Sequence, residues 1–354
     1  MFKILAINPG ATSTKIGYYE DEKEIFTESI RHHNEEVQKF KKTIDQLDMR
    51  VQTVKDFLKE KNIDLKDIDV FVARGGPFKP LRSGTYSINK KMIDDVLSGN
   101  VLADHVSNLA CLIAEKLSVR TDQKKFIVDP VSVDEFDDIA RISGLEGIER
   151  KSLSHALNMK MIAKKWAKEN NKDYFKSSLI VVHLGTGISV SAHKNGRMID
   201  LNNANDEGPF SPQRTGTLPV TQLSKLIISK KMDYEEVKKM LTTRGGVYSY
   251  FKNDNITELV KMMNDGDKKV ELVLSAMMYQ VSKEIGAMAT VLYGNVDCII
   301  VTGGIAYNKC LTDIIVERTK FIAPVVIYPG EDEILALVLG ALRVLKGEEK
   351  EMEY

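Results

Sequence analysis

Near the start of the chain an unbroken apolar run, FKILAI at residues 2–7, stops at Asn8-Pro9-Gly10. It gives way to Ala11-Thr12-Ser13-Thr14-Lys15 before apolar positions resume at Ile16. A run of this length bounded by turn formers predicts a buried strand, a glycine turn and a second strand. The plan recurs at residues 179–182, where an apolar run passes into His183-Leu184-Gly185-Thr186-Gly187 and then alternates through Ile188, Val190 and Ala192. Asn195-Gly196 predicts a hairpin turn after it, because both residues accept the positive φ that a two-residue turn demands. Elsewhere the period changes. Phe40, Ile44, Leu47, Val51, Val54 and Leu58 recur at spacings of three and four, which predicts one long amphipathic helix from Val37 onward.

Further strands are predicted at 69–73, 84–89 and 125–128, with helices over 90–97 and 107–117. The second half predicts helices over 221–229, 234–241, 255–263 and 268–292, and a buried strand at 297–301. A helix from Asn308, a strand at 323–328 and a last helix over 333–345 follow. Alternation of short apolar strands with helices predicts an α/β protein whose sheets are covered by helices. A chain of 354 residues suits two domains. The repeated unit divides them into residues 1–150 and 151–332, with the helix over 333–346 packing back on the first. The terminal GEEKEMEY is predicted to fray.

Composition changes this picture little: 43% hydrophobic and 28% charged residues with a net charge of zero describe a globular protein without a surface for nucleic acid or an anionic membrane. No apolar run approaches the ~20 residues of a membrane span, and FKILAI is too short for a signal peptide's apolar region. Cys111, Cys298 and Cys310 are odd in number and lack metal-ligand spacing. They read as reduced core residues of a cytoplasmic protein.

The candidate chemistry lies in three glycine turns that end strands: NPGATSTK, HLGTG and VTGGIAYN. Glycine lets the main chain approach a ligand without a Cβ in the way, so the freed amides can converge on phosphate oxygens. Lys15 adds a charge, and Thr12, Ser13 and Thr14 add hydroxyls. Neither the GxGxxG nor the GxxxxGK[ST] pattern is present.

The order of these turns over a duplicated chain resembles the ATP-binding architecture of sugar kinases, actin and the chaperone ATPases. There, two ribonuclease-H-like domains close on a nucleotide cleft. Within that group the chain resembles the acetate and butyrate kinase family, more closely its butyrate branch. The resemblance rests on NPGATSTKIG, VARGGPFKPL with GTYSIN, FIVDPVSVDEF, SLSHALNMK, VHLGTGISV, NDEGPFSPQRTGTLP, VTGGIAYN and PGEDEILALVLGALRVL. It implies Mg²⁺-dependent phosphoryl transfer between ATP and a short-chain carboxylate, butanoate first, giving an acyl phosphate and ADP.

The resemblance also assigns residues. Asn8, Gly10, Thr12, Ser13, Thr14 and Lys15 form a first phosphate turn, Gly185, Thr186 and Gly187 a second, and Gly303, Gly304, Ile305 and Asn308 the adenosine turn. Arg214 and His183 fall beside the moving phosphoryl group, where a planar permanent cation suits charge on equatorial oxygens. Asp129 either holds Mg²⁺ through water or orients the acyl carboxylate, and Glu333, with Glu331 beside it, matches the family's acidic segment around Mg²⁺. Ala73, Gly75 and His155 line the acyl pocket. His155 either orients the site or packs. Two departures from acetate kinases stand out: Phe71 and Lys151 occupy positions where those enzymes carry an arginine and a histidine, which leaves Arg74 to reach the carboxylate by another path.

The reading is thus a carboxylate kinase acting as a homodimer or higher homo-oligomer. Its rivals are a kinase for acetate, propionate or 2-methylpropanoate, and an ATP-driven conformational module. Such a module needs no carboxylate clamp of the kind that Arg74, Asp129 and Arg214 would make.

Overall fold

In the computed structural model, which describes residues 1–354 except for the side chains of Asn34 and Glu36, eleven strands form two mixed sheets. The first holds β1 (Lys3–Pro9), β2 (Ser13–Glu20), β3 (Lys23–Arg31), β4 (Val70–Arg74), β5 (Thr85–Ser87) and β6 (Lys124–Val128), in the order β3-β2-β1-β4-β6-β5. The second holds β7 (Ser178–Leu184), β8 (Ile188–Lys194), β9 (Arg197–Leu201), β10 (Cys298–Gly303) and β11 (Val325–Pro329), in the order β11-β10-β7-β8-β9. One topology underlies both. Each sheet begins with an antiparallel meander, then adds parallel strands on the far side of the first one: β4 and β6 beside β1, β10 and β11 beside β7.

The chain forms two compact units. One comprises residues 1–134, 156–158 and 332–354, the other 135–155 and 159–331. In the first unit Ile4, Leu5, Ala6 and Ile7 are wholly buried because β1 is covered on both faces. One face meets the Leu47–Glu60 and Leu109–Leu117 helices, and the other meets the Glu333–Leu345 helix. In the second unit the 24-residue Lys268–Val291 helix covers one face of the sheet. The Ala156–Glu169 helix, through Met159, Ile162 and Trp166, packs with Leu179, Val181 and Ile300 on the other. No described helix is long and apolar enough to cross a membrane.

Two expectations are corrected. The long helix from Val37 begins at Leu47, after a 3₁₀ turn at Thr43–Gln46. Asp45 accepts the Lys42 backbone N–H at 3.2 Å, so a local cap restarts the chain where periodicity alone runs on. The terminal segment does not fray: Met352 exchanges backbone hydrogen bonds with Thr85 and Ser87, and the Tyr354 ring packs edge-on against Phe78. Its charges are used as well, Arg343 pairing with Glu349 at 2.9 Å. The predicted hairpin is present, with Asn195 and Gly196 both at positive φ between β8 and β9.

Candidate active site

In the first unit, parallel register puts Asn8, Arg74 and Val128 at one level of the sheet, at the carboxyl ends of β1, β4 and β6. Ligand sites of α/β sheets form at such ends. The Glu333–Leu345 helix brings Glu333 to this edge, and its Oε2 accepts from Asn8 Nδ2 at 2.6 Å and from Arg74 Nη1 at 2.8 Å. Asp332 fixes the start of that helix by accepting the Leu335 N–H at 2.9 Å. Asp129, one residue past β6, is buried with φ at 38°, a strained value for a residue with a Cβ. Its Oδ1 accepts from Ser83 Oγ at 2.6 Å and Gly84 N–H at 2.8 Å, which holds it there.

Ala73 lies within the core, wholly buried between Ile7 and Ile127. Gly75 lets the chain pass close to Pro130, where a Cβ would come within 2.4 Å of that ring. In the first turn, Gly10 N–H donates to Ser13 O at 2.8 Å, and the turn exposes Thr12 while leaving Ser13 and Lys15 half-exposed. Lys15 makes no ion pair with a described residue. Thr14 turns inward instead: it is wholly buried, and its hydroxyl meets Arg50 and His32.

In the second unit, His183 near the end of β7 is buried and stacks on His155, ring centroids 4.0 Å apart. His155 Nδ1 lies 3.1 Å from Ser189 Oγ, and His183 Nε2 lies 3.4 Å from Glu331 Oε2. Gly185 to Gly187 form the tight turn into β8. Ser211 joins this turn to Arg214, since its Oγ donates to Thr186 O at 2.6 Å and accepts the Arg214 N–H at 3.1 Å. The guanidinium lies against Gly187, where a Cβ would stand 2.3 Å from Nη1 and displace it. Half-buried, the Arg214 side chain makes no hydrogen bond or ion pair with any described residue, and burial pulls its pKa down from the usual arginine value. Gly303, at φ 96°, passes against the Leu184 backbone. Thr302 Oγ1 donates to Gly330 O, Gly304 faces open space, and the Asn308 amide donates to Ile305 O at 3.1 Å.

The candidate residues thus fall into two groups. Asn8 and Arg74 both meet Glu333, with Asp129 one residue past the neighbouring strand β6; His155, His183, the Gly185–Gly187 turn and Arg214 gather in the other unit. Sequence reasoning missed Ser83, Ser189 and Ser211, small polar residues that no spacing rule distinguishes. It also passed over Arg50. That arginine stands three residues after Leu47 on the apolar stripe of its helix, and a cation out of phase with its charged face is a signal.

The acetokinase family pattern matches residues 145–322. Butyrate kinase 1 of Clostridium acetobutylicum is 51% identical to the chain, over all of both chains. The chain belongs to the acetokinase family. Butyrate kinase 2 of the same organism is 48% identical over all of this chain and 99% of its own length. Among solved structures, the acetate kinase of Porphyromonas gingivalis superposes with a TM-score of 0.81 over 98% of this chain and 100% of its own, at 16% identity. This likeness shows that the acetokinase fold is preserved far beyond sequence identity.

Among the described residues, no group of three His, Cys, Asp or Glu side chains is placed to hold a metal. The donor set nevertheless suits Mg²⁺ arriving with a nucleotide, which needs only one or two protein carboxylates beside phosphates and water. Asp129 and Glu333 each have one oxygen fastened by the protein, while Oδ2 and Oε1 accept no hydrogen bond from described residues.

Proposed function

We propose that the protein is a butyrate kinase, transferring a phosphoryl group reversibly between ATP and butanoate to give butanoyl phosphate and ADP. The observation that carries this reading is Arg214: a half-buried guanidinium pressed on a phosphate-type turn, with no partner among the described residues, suits an anion that comes and goes. The full-length identity to chains named butyrate kinase supports butanoate as the acid.

In the forward direction a butanoate oxygen attacks the γ-phosphorus in line, and the bond to the β–γ bridging oxygen breaks, leaving ADP. Arg214 stabilises the equatorial oxygens and His183 donates a hydrogen bond to them. The Asn8–Lys15 turn holds the β- and γ-phosphates, with Lys15 as the point charge. Arg74, restrained by Glu333, orients the acid. Asp129 and Glu333 would hold Mg²⁺ by their free oxygens. Held there, Mg²⁺ would neutralise charge on the phosphates. Glycines 303 and 304, Ile305 and Asn308 receive the adenosine, Gly304 being open to a ligand.

The protein acts in the cytoplasm, where its three free cysteines stay reduced. It does so as a homo-oligomer. The Val220–Lys230 helix buries no residue and exposes Val220 and Ile228, apolar surface of the kind a second copy covers.

Acyl phosphate formation, trapped with hydroxylamine, should be measured with ATP and acetate, propionate, butanoate and 2-methylpropanoate. The highest kcat/KM is expected with butanoate. A higher value for another acid would reassign the substrate, and ATP hydrolysis indifferent to any acid would remove the kinase reading.

A further inference from the structure

Beneath the first turn lies a charge that the reaction outlined above does not use. Arg50, in the first turn of the Leu47–Glu60 helix, is wholly buried, and all five of its N–H donors are engaged. Nη1 donates to Ser13 O at 3.0 Å and Thr14 Oγ1 at 3.1 Å. Nη2 donates to Ala11 O at 3.1 Å and Gln46 Oε1 at 2.9 Å, and Nε donates to the same Gln46 oxygen at 3.1 Å. Every acceptor is neutral, and no described carboxylate pairs with the guanidinium. Three of the five bonds end on the turn itself, at Ala11, Ser13 and Thr14.

Two consequences follow from this placement. The fork fixes three residues of the turn at once, which a lysine with three donors on a flexible stem does not reproduce. Its charge is satisfied in hydrogen bonds but not balanced, and a buried cation lacking a counter-ion is costly until an anion approaches. Burial holds its pKa down at about 10, still leaving the group charged at neutral pH. Hydrogen bonds from a cation to the carbonyls of Ala11 and Ser13 also polarise those peptide groups, strengthening the N–H on the far side of each as a donor.

Resting on the reading that the Asn8–Lys15 turn binds phosphate, we infer that Arg50 is the positioning residue of that turn and its buried counter-charge, with the polyphosphate of the bound nucleotide serving as the missing anion. Loss of the charge should weaken ligands that carry phosphates and spare those that carry none.

The test compares binding of ATP and of adenosine by calorimetry in wild type, Arg50→Gln and Arg50→Lys, with melting temperature recorded for each. Arg50→Gln is expected to lower ATP affinity by about 10–50-fold, from a charge felt across one layer of backbone, and to leave adenosine affinity within about twofold. Arg50→Lys, which keeps the charge and loses donors, should melt lower yet keep the ATP-to-adenosine ratio within about threefold. A folded Arg50→Gln protein with an unchanged ratio, or with both ligands weakened alike, overturns the inference while leaving the turn's role intact. Wild type that binds ATP no more tightly than adenosine overturns the phosphate reading and the inference together. Should Arg50→Gln fail to fold, a tenfold fall of the ratio in Arg50→Lys overturns the charge argument.

Discussion

The two glycine turns share a backbone plan and differ in where they keep their arginine. In the first unit Arg50 lies beneath the turn, wholly buried, with every donor spent on neutral oxygens of the turn and its neighbour Gln46. In the second, Arg214 lies alongside the turn, half-buried, with no side-chain donor spent on a described residue. The two units share the strand order and the turn, but the arginine comes from a helix in one case and from a loop in the other. Full neutral pairing makes Arg50 a brace for the turn's backbone, whereas the Arg214 guanidinium keeps its donors open.

Breaking this contrast at Arg214 should give the largest effect. Arg214→Ala is expected to lower kcat by about 10²–10³ with ATP affinity nearly unchanged, since one oriented donor in a dry site is worth about 3–4 kcal/mol. That is the opposite split from Arg50→Gln, and equal losses of kcat and affinity in both variants would erase the distinction. Next comes Asp129, whose Oδ1 is fastened while Oδ2 accepts nothing from a described residue. Asp129→Asn retains an oxygen for Ser83 and Gly84 but removes the charge, so the Mg²⁺ concentration for half-maximal rate should rise about 10–100-fold. An unchanged Mg²⁺ titration would take Asp129 out of the metal site.

A smaller effect is expected at Ala73. Valine there removes room for about two methylenes, so the butanoate-to-acetate ratio of kcat/KM should fall about tenfold. Because Ala73 is packed between Ile7 and Ile127, the substitution will also cost about 1–3 kcal/mol of stability. An unchanged ratio across the acids would assign Ala73 to the core alone.

The smallest effect concerns pH. Burial first, and then the charge of Lys160, hold the His193 imidazole well below its usual pKa, so it stays neutral in the fold. The unfolded chain takes up that proton near pH 6.5, and thus binds more protons than the fold below this value. Stability from this group is complete above about pH 6.5 and declines as pH falls, by about 2–4 °C in melting temperature per unit. His193→Gln should flatten that slope, and identical slopes would show that other groups set it.

How much of this was legible depends on the length scale of the signal. Short-range patterns carried β1, β7 and the Asn195-Gly196 turn, because period and turn chemistry are written in neighbouring residues. They failed where a single polar contact overrode the period, as at Asp45, and where distant partners decided, as at Met352 on Thr85 and Ser87. The same holds for the site. Glycines and long motifs pointed to the turns, while Ser83 on Asp129 and Ser211 between Thr186 and Arg214 are visible only once strands and loops are in place.

The return of the Glu333–Leu345 helix to the first unit also sets a clock for protein synthesis. Asn8 and Arg74 meet Glu333 across most of the chain, and that helix covers the face of the first sheet formed by β1, β2, β4 and β6. A ribosome that has finished residue 134 must add about 200 more before the helix exists, which takes about 10–40 s at ordinary elongation rates. Throughout that interval the nascent sheet presents an uncovered apolar face, the surface that chaperones hold. The half that is made first is therefore the half that is finished last.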